Sequence, residues 1–494
     1  MGIDTSKGTE IFIYVGNKDL NVQVDSLDFK RRIDGKDPDP LTPNPIEHVR
    51  RELHMSDISW YEHTGRVSLG AWRGTVPLFA RFAEVAPSTG NLGDNNVDNF
   101  LEASLDHGSR NDAHISWGFY NGSVDETHQL WLYINNKEEQ WMERLFDAEP
   151  KLLKEPLSIM ALPGSHDAGM FTGIDSDEAA RNLVDSLISR FATKNALEMA
   201  LVAAWALGPV TPAATALAGL LAGAIFALRG TSLARRALLN LAYTQKDDIY
   251  RQLRLGVRFF DFRPGYTVSG FRWDQQLRHQ HGFVPGYELY QFIYAVVDFL
   301  NRCPKEIVVV NFKYSGFLDN DMKPPHSEVD GMVDSIVNRE LAHVGIVRGG
   351  IDDLHTPIGD LLKQNKRLIV LWDSTNIAGS YSDDAYATVD SAKIVGALGN
   401  LIGAVSATDR VAVFELQGTR TATTAAQVRS ALSFSNASNP LLSTKARFDR
   451  ETYPYVLQNA PRVPKTALVV LLNDFVDCAM RDYAAAITRR RLGS

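Results

Sequence analysis

Cysteine is scarce in this chain, with only Cys303 and Cys478 among its 494 residues. Two cysteines give no disulfide framework, and no Cys/His cluster has the spacing of a zinc site. The composition is therefore consistent with a reducing compartment. It predicts a fold that depends on neither disulfides nor structural zinc.

Positive charge is also in short supply, since the formal net charge is -8 and the pI is near 5.9. An acidic chain is poorly suited to bind a polyanion, so nucleic acid is not expected as a partner. The segment M-G-I-D-T-S has no apolar core of a secretory signal, which predicts a cytoplasmic or peripheral-membrane protein. It does fit the short N-myristoylation pattern through Gly2 and Ser6.

One long apolar run extends from Met199 to Leu228 without a charged residue. Gly208-Pro209 and Thr211-Pro212 divide it into segments shorter than the ~20 residues that a membrane span needs. A single span would also place His166 and His281, which are expected to share one site, on opposite sides of the membrane. We therefore expect a helical hairpin around residues 196–230, either packed on the protein or inserted into a membrane surface.

The chain is well supplied with apolar strands that end in charged side chains. Pro156 to Leu162 predicts a buried strand closed by the turn Pro163-Gly164. His166 and Asp167 would then lie on the loop that follows. A histidine beside a carboxylate at a strand end is a candidate acid or base, although such a histidine more often serves packing or capping.

Further along the chain the same arrangement recurs. The strand predicted over 255–265 places Asp261 and Arg263 on one face, because side chains alternate along a strand. The segment L-R-H-Q-H-G repeats the alternation with His279 and His281. These pairs suggest an oriented, charged site.

Three later strands add more polar side chains at their ends. The β-branched run E-I-V-V-V-N-F-K is typical of a strand covered on both faces and ends in Lys313. The strands predicted over 366–372, 411–419 and 466–475 contribute Trp372, Glu415 and Asp474. Helices are expected between strands, over 287–301, 327–343 and 475–490.

Strands that alternate with helices predict an α/β fold, here a TIM-type (β/α) barrel that is irregular or incompletely closed. We assign it to residues 148–494. Residues 1–147 contain short aromatic and β-branched runs separated by Gly, Asn and Asp, which predict an all-β, antiparallel, sandwich-like domain. Five tryptophans lie there and either fill a small core or form a glycan- or lipid-binding face: Trp60, Trp72, Trp117, Trp131 and Trp141.

In chain order, the motifs G-S-H-D, R-F-F-D-F-R, H-G and a strand ending in lysine resemble the X-domain of phosphatidylinositol-specific phospholipase C. The resemblance covers roughly residues 150–480 and is closer to the bacterial, metal-independent branch. It implies cleavage of an inositol phospholipid at a membrane surface, giving diacylglycerol and inositol 1,2-cyclic phosphate. It implies no cofactor.

The resemblance also implies roles for individual residues. His166 corresponds to the general base that accepts the proton of the inositol 2-hydroxyl, and Asp474 to its partner. His281 corresponds to the general acid that protonates the leaving oxygen, and Asp167 to the carboxylate that orients it.

The remaining implied roles concern substrate charge and recognition. Arg263 corresponds to the cation on the non-bridging phosphate oxygens, Asp261 to its supporting carboxylate and Lys313 to a further cation. The head-group side departs from the family, with Trp372 followed by Asp373 where an arginine is usual, and with Glu415 where an Asp is usual. We take Lys313, Glu415 and Trp372 as candidate substrate contacts.

Calcium-dependent relatives have acidic ligands where this chain has Arg263 and Lys313. Cations repel a divalent metal and bind phosphate directly, so no metal requirement is expected. Two other functions stay open: another lipid or glycosyl-inositol phosphodiesterase on the same barrel, and a non-catalytic membrane- or glycan-binding protein. The oligomeric state is not predicted.

Overall fold

The computed structural model of this chain describes residues 7–18, 20–26, 29–37, 39–53, 65–71, 74–78, 113–120, 128–174, 178–193, 235, 238–239, 242–269, 272–282, 284–317, 320–373, 376–386, 388–417, 439 and 441–493. Four expectations fall outside these residues. They are the myristoylation motif at Gly2, the apolar hairpin around 196–230, and the placement of Trp60 and Trp72.

The amino-terminal region forms two four-stranded sheets. In chain order the strands are β1 Lys7–Val15, β2 Leu20–Ser26, β3 Phe29–Asp34, β4 Glu47–Leu53, β5 Gly65–Ala71, β6 Gly74–Leu78, β7 Ala113–Tyr120 and β8 His128–Asn136. The sheet orders are β4-β1-β8-β7 and β3-β2-β5-β6. The predicted β-strands are present, but β1 pairs with β8 in parallel, which alternation of side chains could not reveal.

The rest of the chain carries an eight-stranded parallel sheet, curled into a half-barrel, with the order β15-β16-β14-β10-β9-β19-β18-β17. Its strands are β9 Ala161–Ser165, β10 Phe259–Phe262, β14 Val308–Phe312, β15 Arg348–Gly349, β16 Leu368–Trp372, β17 Ile377–Gly379, β18 Val411–Glu415 and β19 Leu468–Asn473. Within the described residues no pairing joins β15 to β17, so the barrel is open there. The predicted TIM-type, incompletely closed barrel is confirmed.

A smaller antiparallel sheet lies beside the barrel and contains β11 Pro264–Ser269, β12 Arg272–His281 and β13 Val284–Glu288. Among the described residues, the α-helices are α1 Trp141–Ala148, α2 Glu178–Thr193, α3 Ile249–Leu255, α4 Leu289–Arg302, α5 His326–Ser335, α6 Ile358–Lys363, α7 Asp383–Tyr386, α8 Ser391–Ala404, α9 Leu442–Asn459 and α10 Ala479–Gly493. The helix predicted over 327–343 is shorter and continues as a π-turn, and that predicted over 475–490 starts at Ala479. No helix in the described part of the chain is long and apolar enough to span a membrane.

Side chains of the barrel strands alternate between two apolar clusters. On β14, Val308, Val310 and Phe312 pack in the cluster shared with the outer helices, whereas Val309 packs in the smaller, inner cluster. Parallel strands are buried on both faces, which is why these runs are almost continuously apolar. Helix α1 joins the inner cluster through Trp141, so this tryptophan serves the barrel core.

The amino-terminal sheet packs against the last two helices. Trp131 and Trp117 are only 1% and 7% exposed, and Trp131 shares the outer cluster with residues of α9 and α10. Core packing therefore accounts for Trp117, Trp131 and Trp141, the three of the five amino-terminal tryptophans that the structure describes. The bounds 1–147 and 148–494 stay a prediction.

Candidate active site

The polar side chains expected in one site follow the carboxyl ends of the barrel strands. Asp261 and Glu415 lie near the ends of β10 and β18, Lys313 follows β14, and Asp474 follows β19. Along its strand, each is separated by an even number of positions from a residue of the inner cluster, so its side chain lies on the same face of the sheet. Alternation therefore directs them to the concave side of the sheet.

The strand that leads to His166 differs from its prediction. Residues Leu157–Ile159 form a 3₁₀ turn, and the strand is Ala161–Ser165, so Pro163 and Gly164 lie inside it. Glycine is needed because a Cβ at position 164 would lie 2.8 Å from Val470 Cγ1 on β19. This close packing brings the end of β9 directly beside the end of β19.

Asp167 has a left-handed backbone, with a φ of 42°. Its neighbours on both sides are fixed, because His166 N–H donates to the Asn473 carbonyl and Ala168 N–H donates to the Asp261 carbonyl. Such conformations are unfavourable for residues other than glycine and are retained where the surroundings enforce them. The turn directs the Asp167 carboxylate into the site, where it is fully buried.

His166 is held by a carboxylate at each ring nitrogen. Its Nδ1 lies 2.8 Å from Asp474 Oδ1, and its Nε2 lies 3.3 Å from Asp167 Oδ2 and 3.1 Å from Arg263 Nη2. Burial disfavours the imidazolium, but Asp167 and Asp474 outweigh it and raise the pKa of His166 to about 9. The predicted pairing of His166 with Asp474 is present in the structure.

Arg263 and Lys313 neutralise the two central carboxylates. Arg263 Nε lies 2.7 Å from Asp167 Oδ1, and Lys313 Nζ lies 2.8 Å from Asp261 Oδ2. Arg263 Nη2 also approaches Asp261 Oδ2 at 3.3 Å. Burial raises the pKa of each carboxyl, yet the pKa of both stays below the usual range because of Arg263 for Asp167 and Lys313 for Asp261.

His281 corrects one expectation, because it does not follow a barrel strand. It ends β12 of the antiparallel sheet, and its Nδ1 donates to the Ala242 carbonyl at 2.8 Å. Its Nε2 lies 3.6 Å from Asp167 Oδ2, the oxygen that His166 Nε2 also approaches. Burial lowers the pKa of His281 to about 4, with Asp167 opposing it.

Two further side chains hold the site in position: His279, which the sequence pairs with His281, and Gln245, which the sequence does not indicate. His279 Nδ1 accepts from the Arg263 N–H at 3.1 Å, and its Nε2 faces Asp167 Oδ1 at 3.2 Å. Gln245 donates to the carbonyls of His166 and Asn473, at 2.8 and 3.1 Å. The two-residue spacing of His279 and His281 indicates a charged site but assigns His279 no role, whereas the role of Gln245 carries no sequence signal.

The two remaining substrate-contact candidates differ in position. Glu415 lies on the inner parity of β18, and burial raises its pKa, with Lys313 opposing. Trp372 has the outer parity of β16, its ring stacks on His326, and its Nε1 donates to Asp330. The structure therefore does not bring Trp372 into the group of charged side chains around His166. A contact between Trp372 and the substrate stays a prediction.

The only group of metal-type donors within the described residues is His166, Asp167 and Asp261, whose ligand atoms lie within 4.8 Å of one another. Both carboxylates already pair with cations, Arg263 and Lys313. A divalent ion would have to displace these cations or sit beside them, which is electrostatically unfavourable. The donor set therefore fits an anion such as phosphate better than a metal.

Fold and site together define an α/β-barrel protein with histidines, cations and carboxylates clustered at the carboxyl ends of its strands. Among solved structures, the chain is similar to a pentafluoro-phenylalanine-containing phosphatidylinositol-specific phospholipase C from Staphylococcus aureus. The identity is 17%, the match covers 71% of this chain and 97% of that one, and the TM-score is 0.40.

A second similar structure is phosphatidylinositol-specific phospholipase C from Listeria monocytogenes, with 14% identity, coverage of 72% and 98%, and a TM-score of 0.36. Both proteins are named as phosphatidylinositol-specific phospholipases C, the family whose motifs this sequence resembles. No family model and no curated protein matches the chain. At this level of similarity, function has to be inferred from the site.

Proposed function

We propose that this protein cleaves the phosphodiester of an inositol phospholipid by intramolecular attack of the inositol 2-hydroxyl. The products are diacylglycerol and inositol 1,2-cyclic phosphate. The observation that carries the proposal is that the Nε2 atoms of His166 and His281 approach the same oxygen of Asp167, at 3.3 and 3.6 Å. Two imidazoles this close can act on opposite sides of one phosphorus atom.

In the proposed step, His166 Nε2 accepts the proton of the 2-hydroxyl while that oxygen bonds to phosphorus. The bond between phosphorus and the diacylglycerol oxygen breaks, and His281 Nε2 donates a proton to the leaving oxygen. Arg263, with Lys313 nearby, stabilises the charge on the non-bridging oxygens. Asp474 holds the His166 ring and stabilises the imidazolium that forms.

In the free protein at neutral pH, His166 and His281 together hold one proton. The pKa values of about 9 for His166 and about 4 for His281 place this proton on His166. The proposed step needs it on His281. The negative charge of a bound phosphodiester favours protonation of the nearby His281 and supplies part of this redistribution. Substrate binding is therefore part of the activation of the site.

This arrangement predicts a broad pH profile for kcat/KM. Below about pH 4 both histidines are protonated and no base remains, whereas above about pH 9 both are neutral and no acid remains. Between these values the two histidines together hold one proton. The productive form, with His166 neutral and His281 protonated, is a fraction of this singly protonated pair that does not change with pH. We expect a plateau across this range, measured from pH 4.5 to 10 with circular dichroism at each pH as the folding control. A narrow bell centred near pH 6.5 would contradict it.

Metal removal tests the proposal most directly. We expect phosphatidylinositol vesicles to release water-soluble inositol 1,2-cyclic phosphate equally with excess EDTA and with added calcium, because cations of the chain contact the phosphate. Phosphorus NMR identifies the cyclic product. Abolition by EDTA with rescue by calcium would favour a metal-dependent phosphodiesterase. No cleavage under either condition would redirect the search to glycosyl-inositol anchors, and failure there to a binding protein.

A further inference from the structure

A buried polar network connects the amino-terminal sheet to the carboxylate behind His166. We propose that this sheet is part of the active site: Tyr133 on β8, acting through Asp449 and Asn473, fixes the position of Asp474. Tyr133 is thus a positioning residue, and its effect on catalysis rests on the proposed function.

Four consecutive contacts carry the connection. Tyr133 Oη donates to Asp449 Oδ2 at 3.0 Å, and Asp449 Oδ1 accepts from Asn473 Nδ2 at 2.8 Å. Asn473 Oδ1 in turn accepts from the Asp474 N–H at 3.1 Å, and Asp474 Oδ1 lies 2.8 Å from His166 Nδ1. Each contact fixes the orientation of the next group, because an amide bonded at both its oxygen and its nitrogen cannot rotate freely.

The network includes three buried charges. Lys445 Nζ lies 2.6 Å from Asp449 Oδ2 and 2.7 Å from Asp477 Oδ2, and all three side chains are at most 1% exposed. Tyr453 Oη donates to Asp477 Oδ2 at 2.6 Å. With two carboxylates and one ammonium, the cluster depends on hydroxyl and amide donors to stabilise the excess negative charge.

Stability alone is a weak reason for such a network. Buried ion pairs are often replaceable by apolar residues without loss of stability, since desolvation opposes their attraction. A network that fixes geometry has a different use, because small displacements of a catalytic base reduce the rate strongly. Its direct connection to the backbone of Asp474 favours this second interpretation.

The neighbouring strand β7 holds the same region from a second side. Ser116 Oγ accepts from the Cys478 N–H at 3.0 Å, four residues after Asp474. Lys246 Nζ donates to the Trp117 carbonyl at 3.0 Å, and Lys246 follows Gln245, which bonds the carbonyls of His166 and Asn473. The sheet thus contacts both segments that fix the His166–Asp474 pair.

The test compares Tyr133→Phe with Tyr14→Phe in the full chain. Both tyrosines are buried on the same sheet, and the hydroxyl of each donates to an aspartate. Tyr133 donates to Asp449 on α9, whereas Tyr14 donates to Asp482 on α10, which lies outside this network. With ¹³C-labelled histidine, NMR titration follows the pKa of His166, assigned with His166→Ala. We expect Tyr133→Phe to lower that pKa by about half a unit or more, since a less fixed Asp474 stabilises the imidazolium less. Tyr14→Phe should leave it unchanged.

Activity provides the second readout. Tyr133→Phe should lower kcat by ~10-fold with little change in KM, and should move the alkaline limb of the pH profile downward. Equal titration curves and equal kcat for the two variants would overturn the proposal. Because the titration needs no turnover, it decides the positioning role even if inositol lipids are not cleaved. If Tyr133→Phe does not fold, Asp449→Asn serves as the second variant, with the same shift expected.

Discussion

His281→Ala is expected to lower kcat on phosphatidylinositol by on the order of 10³-fold, yet to retain most of the activity on an inositol phosphodiester with a p-nitrophenol leaving group. The reason is that diacylglycerol oxygen needs a proton as it leaves, whereas p-nitrophenolate does not. His166→Ala should lose activity on both substrates, because the 2-hydroxyl must be deprotonated in either case.

This comparison assigns the acid and the base, which the pH profile cannot do. His343→Ala removes an exposed histidine of a 3₁₀ turn and serves as the matched control. Release of p-nitrophenol and of cyclic phosphate can be measured on the same preparations. If the activated substrate rescued His166→Ala but not His281→Ala, the two roles would have to be exchanged.

Arg263→Lys is expected to lower kcat by on the order of 10²-fold while the charge at the site is retained. Arg263 faces Asp167 through Nε and approaches His166 and Asp261 through Nη2. A lysine provides one ammonium on a flexible stem and cannot keep these directions together with contacts to two phosphate oxygens.

The measurement is kcat and KM on phosphatidylinositol vesicles, with thermal unfolding followed in parallel. Arg339→Lys, a change at an exposed arginine, is the control for the substitution itself. A variant that keeps wild-type kcat and raises only KM would show that Arg263 contributes uniform binding and gives no special stabilisation of the transition state.

Much of the barrel site could be predicted because it depends on alternation along strands. Asp261, Lys313 and Asp474 each end or follow an apolar run, and parallel strands bring their carboxyl ends to one edge. Alternation does not tell which parity faces inward, however, so the outward position of Trp372 could not be foreseen. The sequence predicts the first barrel strand over Pro156 to Leu162, because Pro163 and Gly164 usually mark a turn, whereas the strand is Ala161–Ser165 and includes both residues.

Other features depend on contacts that leave no local pattern. His281 reaches the site from an antiparallel sheet, although its motif resembles that of a barrel strand. Gln245 acts on backbone carbonyls, which any residue type offers. Tyr133 lies in a sheet for which the sequence singles out only the tryptophans, and its hydroxyl contact with Asp449 depends on tertiary packing.

The adjacency of β9 and β19 affects when this protein can become active during its synthesis. His166 follows β9 and Asp474 follows β19, 308 residues later in the chain. A growing chain on the ribosome therefore carries the proposed base long before the carboxylate that would orient it. Contacts of such sequence separation form slowly, so the pair is completed late in folding, and partly made chains would lack the proposed activity.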